Sequence, residues 1–310
     1  MQRVGVCGTD THAIEGTQPY FEYPRVLGHE LAGNIQRCGS EVSGWSEGQR
    51  VAIRPYVECG ICAPCRAGRP NCCVQLQVLG VHIDGGMAEA LAVPETHLVP
   101  VDGLTLDEAV SLEFLSVSWH AIVRAGVNRR EWAMVIGCGP IGVAALKFLK
   151  LAQSRTIAVD TDTKRLAFAQ SWAGCDEVLL GGDAMGLDHK VQELTKGDRP
   201  SLVIDATGNA GSMSDAVQYV GHGGRIVFVG LAQALVSFWD PLFHQREMTI
   251  LSSRNSIQSD FLSVRELIQK GSVDVRPIIT HHVGFDDVPL LFQRSHSDSE
   301  LVIKRVVDIF

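Results

Sequence analysis

Over residues 1–114 the apolar side chains come in short runs interrupted by glycine, at 3–6, 31–36, 50–53 and 87–93. Alternation is weak and turn residues are frequent, which predicts the short strands of an irregular β-barrel. From about residue 117 the texture changes. An apolar run at 133–136 ends at a glycine, and helical periodicity then continues to residue 149. Further apolar runs at 156–159, 202–204 and 225–229 are separated by helical stretches. Strands alternating with helices predict a parallel, doubly wound sheet. After a run at 248–251 the mixed texture returns, with a helix expected over 260–270 and a β-like tail over 301–307.

Composition narrows the class. A chain of 310 residues is long enough for two domains with cores of their own. A net charge of −8 without any basic run argues against a nucleic-acid partner. The longest uncharged apolar stretch, 132–146, is short of a membrane span and holds three glycines. Nine cysteines would suit a secreted protein, but no leader pattern accompanies them and most cluster at metal spacing. A cytoplasmic protein with no membrane partner is therefore expected.

Cys59, Cys62, Cys65 and Cys73 are spaced C-x2-C-x2-C-x7-C. A loop of this kind can wrap four soft sulfurs round one tetrahedral zinc, leaving no open coordination position, so its role is structural. Cys7 and the His29-Glu30 pair lie outside it and point to a second, open site. Gly137-Cys138-Gly139-Pro140-Ile141-Gly142 reads G-x-G-x-x-G directly after an expected strand and at the start of a helix. Such glycines allow a tight turn and bring a pyrophosphate to the positive helix end. Asp160 follows at the end of the next strand, where a carboxylate meets the adenosine ribose hydroxyls. It would repel a 2′-phosphate, which favours NAD over NADP, while Arg165 nearby could shield that phosphate, stack on adenine, or simply face solvent.

These motifs, Cys7-Gly8-Thr9-Asp10-Thr11-His12, Gly28-His29-Glu30, the cysteine quartet and the glycine fingerprint, occur in the order found in the zinc-dependent medium-chain dehydrogenases. The chain resembles that family over nearly its whole length. The resemblance implies an α/β protein made of a GroES-like β-barrel catalytic domain (1–114, resumed at 253–310) and a Rossmann doubly wound parallel sheet (115–252). It further implies two Zn2+ ions, one structural and one catalytic in the cleft between the domains, and an NAD cofactor. Cys7 and His29 would ligate the catalytic zinc, with Glu30 or Glu113 as the third ligand and the other acid holding water or substrate. Glu113 opens Glu113-Phe114-Leu115-Ser116-Val117, similar to the E-P-L-S-V run of polyol dehydrogenases with Phe114 in place of proline. Asp10 would orient the His29 ring. Thr9 and His12 would relay the proton of the substrate hydroxyl to the surface. The family spacing selects Cys73 over Cys72 for the quartet. Val229, Gly230 and Leu231 would lie near the nicotinamide, Ser253, Arg254 and Asn255 would reach nicotinamide and substrate, and Lys304 would neutralise the pyrophosphate.

A glutamate-bearing site is closer to polyol dehydrogenases than to simple alcohol dehydrogenases. The runs Tyr23-Pro24-Arg25-Val26-Leu27-Gly28-His29-Glu30, Gly80-Val81-His82-Ile83-Asp84-Gly85-Gly86, Phe228-Val229-Gly230-Leu231 and Ser253-Arg254-Asn255 resemble the sugar-acid branch, which oxidises aldonates such as L-galactonate or L-gulonate. Arg254 is then the candidate cation for the substrate carboxylate. The alternatives are a threonine-type or simple alcohol dehydrogenase of the same fold, or an inert zinc- and NAD-binding protein. The remaining histidines, His82, His97, His120, His189, His222, His244, His281, His282 and His296, show no ligand spacing. Cys7 stands six residues after Met1, whereas the family carries further strands before this cysteine. Uncovered sheet edges would follow, and a homo-oligomer, dimer or tetramer, is expected to cover them.

Overall fold

The computed structural model describes residues 1–293 and 300–310, so His296 lies outside the described residues. Two compact units result: Met1–Ser116 with Asn255–Phe310, and Val117–Arg254. In chain order the first unit contributes β1 (Arg3–Val6), β2 (Glu30–Asn34), β3 (Arg50–Ile53), β4 (Tyr56–Val57), β5 (Gln77–Val78) and β6 (Leu98–Pro100). The second contributes β7 (Trp132–Ile136), β8 (Arg155–Asp160), β9 (Glu177–Leu180), β10 (Leu202–Asp205), β11 (Arg225–Phe228) and β12 (Thr249–Ser252). The chain then adds β13 (Ile279–Gly284) and β14 (Lys304–Asp308) to the first.

The main sheet of the first unit runs β13-β14-β1-β2-β3-β6, antiparallel except for the β13–β14 pair. Its register builds one apolar row across five strands: Val307 opposite Val4, then Leu31, Ile53 and Leu98. Val4, Leu31, Ile53 and Val307 are all buried in one cluster with Leu79 and Ile309. Because side chains alternate faces along a strand, the neighbouring row of Val306, Gly5 and Glu30 points the other way. That second face carries the chemistry described below.

The sheet of the second unit runs β12-β11-β10-β7-β8-β9, parallel throughout. Counted from β7 this is the order 3-2-1-4-5-6 of a Rossmann fold, with its switch point between β7 and β10. All four residues of β10 and the last five of β8 are buried, as strands covered on both faces require. A helix, Pro140–Leu151, starts directly after the glycine turn, with proline in its first turn where an amide is not needed.

Most expected strands match observed ones within a residue or two. The run at 87–93 does not form a strand. The amides of Gly85, Gly86 and Met87 bond the carbonyls of Val26, Gly28 and Leu27, so this segment is held to a loop rather than to a ladder. The tail strand begins at Lys304, not at 301. Among the described residues no helix is long and apolar enough to cross a membrane.

Candidate metal and nucleotide sites

Cys7 follows β1 directly and precedes a short helix, Gly8–Ile14, while His29 stands just before Glu30, which opens β2, the strand paired with β1. The ligand atoms of Cys7, His29 and Glu30 lie within 4.8 Å of one another. Asp10, fully buried, ties the two loops together: its carboxylate accepts from the Cys7 amide at 2.8 Å and from the Gly28 amide at 3.3 Å. It stands 3.7 Å from His29 Nδ1, longer than a hydrogen bond. Asp10 therefore positions the ligand-bearing backbone directly and faces the ring only electrostatically.

Two buried polar atoms here, His29 Nδ1 and Glu30 Oε2, have no hydrogen-bond partner among the described residues. Sulfur, nitrogen and carboxylate oxygen converging in a buried place fit a divalent zinc. The electrostatics agree. Burial pulls the His29 ring down, yet Asp10, Cys7 and Glu113 override it and hold the ring well above 6.5. The same negative potential favours a cation.

Glu113 comes from the first turn of the helix Leu112–Ala125, an element the sequence reading did not anticipate. Its carboxylate accepts a hydrogen bond from the Tyr56 phenol, and both groups are buried. Burial and the nearby Glu30 push Glu113 up to about 7, against the opposing pull of His29, Tyr56 and Lys304. Burial, followed by Glu113, drives the Tyr56 phenol well above 10.

Lys304 requires a correction. Its ammonium is 3% exposed, donates to Glu30 Oε1 and to the Val6 carbonyl at 3.0 Å, and sits 4.8 Å over the Phe114 ring. A pyrophosphate cation would have to present its charge to the nucleotide, whereas this one is spent inside the first unit. Burial pulls the amine down, but Glu30 and Cys7 more than offset it, keeping Lys304 above 10.5 and charged.

Thr9 and His12 lie three residues apart on the helix Gly8–Ile14, hence on one side of it. Thr9 is half-buried and His12 exposed, with its ring near Thr17 Oγ1 (3.3 Å) and Glu15 (3.5 Å).

The four cysteines Cys59, Cys62, Cys65 and Cys73 are free thiols that converge, with sulfur–sulfur separations of 3.4 Å, 3.5 Å and 3.8 Å. A zinc–sulfur bond of about 2.3 Å gives tetrahedral edges of about 3.8 Å, so the quartet fits that ion. Backbone amides of Cys65 and Val74 draw the Cys62 thiol down to about 6, while burial and its neighbours push Cys65 up to about 12. Cys72 lies outside the cluster. The start of this loop is fastened by Arg54, whose guanidinium grips both oxygens of Glu58 at 2.8 Å and 3.1 Å and the Tyr56 carbonyl at 2.6 Å. Neither Tyr56 nor the Arg54–Glu58 pair carried a motif by which the sequence could have shown it.

In the second unit Gly137 has φ +91°, and a Cβ on Gly142 would stand 1.7 Å from the Gly137 carbonyl oxygen. A Cβ on Gly139 would meet open space, the side left for a phosphate to approach. Asp160 accepts from the Cys138 amide at 2.6 Å and from the Asp162 amide at 2.9 Å, which fastens the glycine turn to β8. Two of roughly four lone-pair positions on its carboxylate are thereby used, leaving capacity for a ribose. Arg165 follows in the helix Thr163–Phe168, close enough to Cys138 to oppose the burial that raises this thiol. Val229, Gly230 and Leu231 follow β11, and Gly230 packs on Gly208, where a Cβ would lie 2.2 Å from the amide. Ser253 is buried with its hydroxyl unpartnered, and Arg254 is exposed.

Comparison with known proteins agrees with this geometry. Residues 1–103 match the alcohol dehydrogenase GroES-like domain and residues 140–270 the zinc-binding dehydrogenase family. The chain is 38% identical over 307 residues to the L-galactonate-5-dehydrogenase of Escherichia coli K12, covering 99% of this chain and 90% of that one. It is 31% identical over 305 residues to the L-idonate 5-dehydrogenase of Vitis vinifera, covering 95% and 83%. Among solved structures, an Escherichia coli CFT073 alcohol dehydrogenase complexed with NADH superposes with a TM-score of 0.90 at 30% identity, covering 99% and 90%. The fold and the site define an oxidoreductase of the α/β class, a GroES-like unit with a Rossmann unit. The chain belongs to the zinc-type medium-chain alcohol and polyol dehydrogenases, enzymes that work with zinc and a nicotinamide dinucleotide.

Proposed function

We propose that this enzyme oxidises a secondary alcohol of a sugar acid, of the L-galactonate or L-gulonate type, to the ketone with NAD, and that polyols are its second substrate class. The observation that carries the reading is the convergence of half-buried Cys7 with buried His29 and Glu30, beside a second acid, Glu113, held by Tyr56. A glutamate-bearing site of this kind resembles polyol dehydrogenases more than simple alcohol dehydrogenases with a third cysteine ligand. Support for the sugar acid comes from the similarity to L-galactonate-5-dehydrogenase and L-idonate 5-dehydrogenase.

Cys7, His29 and Glu30 would hold the catalytic zinc, and the four cysteines the structural one. Bound there, zinc supplies Lewis acidity that eases deprotonation of the substrate hydroxyl, and the nicotinamide supplies the hydride acceptor. Glu113 orients that hydroxyl through the carboxylate oxygen that Tyr56 leaves open. The Thr9 hydroxyl relays the proton, accepting one as it gives up its own, and the exposed His12 delivers it to solvent. The turn Gly137, Gly139, Pro140, Ile141 and Gly142 cradles the pyrophosphate, and Asp160 holds the ribose hydroxyls, which selects NAD over NADP. Val229, Gly230, Leu231 and Ser253 line the nicotinamide end, and Arg254 binds the substrate carboxylate bidentately.

The test is NAD reduction by zinc-replete protein with L-galactonate, L-gulonate, sorbitol, galactitol, threonine and ethanol. The aldonates should give the highest kcat/KM, and Arg254→Ala should raise KM for them about tenfold more than for a neutral polyol. Preference for threonine or ethanol would move the chain to another branch of the family. Equal effects of Arg254→Ala on both substrate classes would refute the carboxylate assignment.

A further inference from the structure

Three buried acids, Asp10, Glu30 and Glu113, crowd one place with the half-buried Cys7, and among the described residues one buried ammonium, that of Lys304, stands with them. Cys7 as thiolate and Glu30 as carboxylate balance a dication between them. Glu113 and the buried Asp10 stand beside them as further acids, and among the described residues Lys304 is the ammonium within reach: it is paired with Glu30 and its charge also acts on Glu113. Lys304 reaches this place because β14 pairs with β1, which sets Lys304 two residues from Val306 and so on the same face as Gly5 and Glu30. Three contacts fix its position: Glu30 Oε1, the Val6 carbonyl and the face of Phe114. Phe114 is the residue that departs from the proline of the E-P-L-S-V run, and the departure furnishes an aromatic face for the ammonium.

The grip on one oxygen decides where the other goes. Glu30 Oε2 is buried and unpartnered, and it rests over Gly5, where a Cβ would stand 1.9 Å from it. Any side chain at position 5 would displace the carboxylate. We propose that Lys304 is a positioning residue of the catalytic metal centre: it anchors Glu30 by one oxygen, aims the other at the metal, and supplies the counter-charge that lets both Glu30 and Glu113 remain there. This rests on the reading of Cys7, His29 and Glu30 as the zinc set, and it assigns Lys304 to the metal, not to the nucleotide.

The experiment measures zinc by competition with a chelator and NADH by fluorescence titration, in the wild type, Lys304→Met, Lys304→Gln, Glu30→Gln and the double variant Glu30→Gln/Lys304→Met. The wild type should hold two zinc ions per chain. Lys304→Met should keep the cysteine-loop zinc and bind the other about 10- to 100-fold more weakly, as loss of a ligand's supporting partner does. Lys304→Gln retains a donor for Glu30 but no charge, and should show the same loss. The NADH dissociation constant should change by no more than about twofold, the scatter of independent sites, and in the Glu30→Gln background the further loss of zinc on removing Lys304 should shrink to about twofold. Unchanged zinc binding in Lys304→Gln, or weakened NADH binding with zinc intact, overturns the proposal. A wild type that takes up one zinc overturns the functional reading and the proposal with it, whereas a two-zinc wild type matched by both Lys304 variants overturns the proposal alone.

Discussion

In the proposed mechanism Thr9 is a reacting group whose role does not depend on stability. It is half-buried on the helix Gly8–Ile14 beside Cys7, and its substitution removes a hydroxyl without touching any metal ligand. Thr9→Ala should lower kcat by about 100-fold or more, the usual contribution of a proton-transfer group, while metal analysis still finds full zinc. Near-normal turnover would remove Thr9 from the mechanism. The residues legible in the sequence were those with motif spacing: Cys7, His29, Glu30, the cysteine quartet and the glycine turn. What the sequence hid were their supports. Tyr56 meets Glu113 across 57 positions and Lys304 meets Glu30 across 274, and no local pattern records such pairings. Gly5 left a faint trace, since glycine inside a strand often marks a close approach.

At the scale of elements, the glycine turn rests on one contact that tolerates no methyl group. Gly142→Ala would place a carbon 1.7 Å from the Gly137 oxygen, so the turn or the helix Pro140–Leu151 must shift. NADH binding should weaken by at least about tenfold, ~1.4 kcal/mol, in a fluorescence titration, whereas Gly139→Ala meets only open space in the protein and acts solely through the bound phosphate. Binding of NADH to Gly142→Ala at wild-type strength would show that the turn relaxes freely. Strands with strong apolar runs, such as β7, β8 and β10, were readable because both faces are buried. The helix Leu112–Ala125 was not readable: a single residue, Ser111, separates it from the short helix Leu106–Val110, and the Ser111 hydroxyl donates back to the Asp107 carbonyl of that helix.

For the whole molecule, acid should be the sensitive direction. Glu131 binds Arg225 at 2.7 Å, the Ser201 hydroxyl at 2.6 Å and the Asn128 amide at 2.6 Å. Burial pushes its carboxyl up, but those hydrogen bonds prevail and hold it below 4.5. A depressed carboxylate stabilises the fold above its unfolded value, and that contribution fades as pH falls through the folded value. Unfolding free energy should therefore drop with acid below about pH 4.5, and Glu131→Gln should cost about 2 kcal/mol at pH 7 while flattening this part of the acid limb. Denaturant melts at pH 7 and pH 4 would check it; an unchanged acid limb in Glu131→Gln would place the sensitivity elsewhere.

The pairing of β1 with β14 has a consequence for biosynthesis. Residues 3–6 hydrogen-bond to residues 305–308, nearly the full span of the chain, whereas Val117–Arg254 is contiguous. On the ribosome the unit Val117–Arg254 can condense while translation continues, but the main sheet of the other unit is not complete until β14 leaves the exit tunnel. Glu30 waits for Lys304 throughout that interval. A nascent polypeptide stalled shortly before β14 would thus carry a folded Val117–Arg254 unit and a Glu30 without its Lys304 partner.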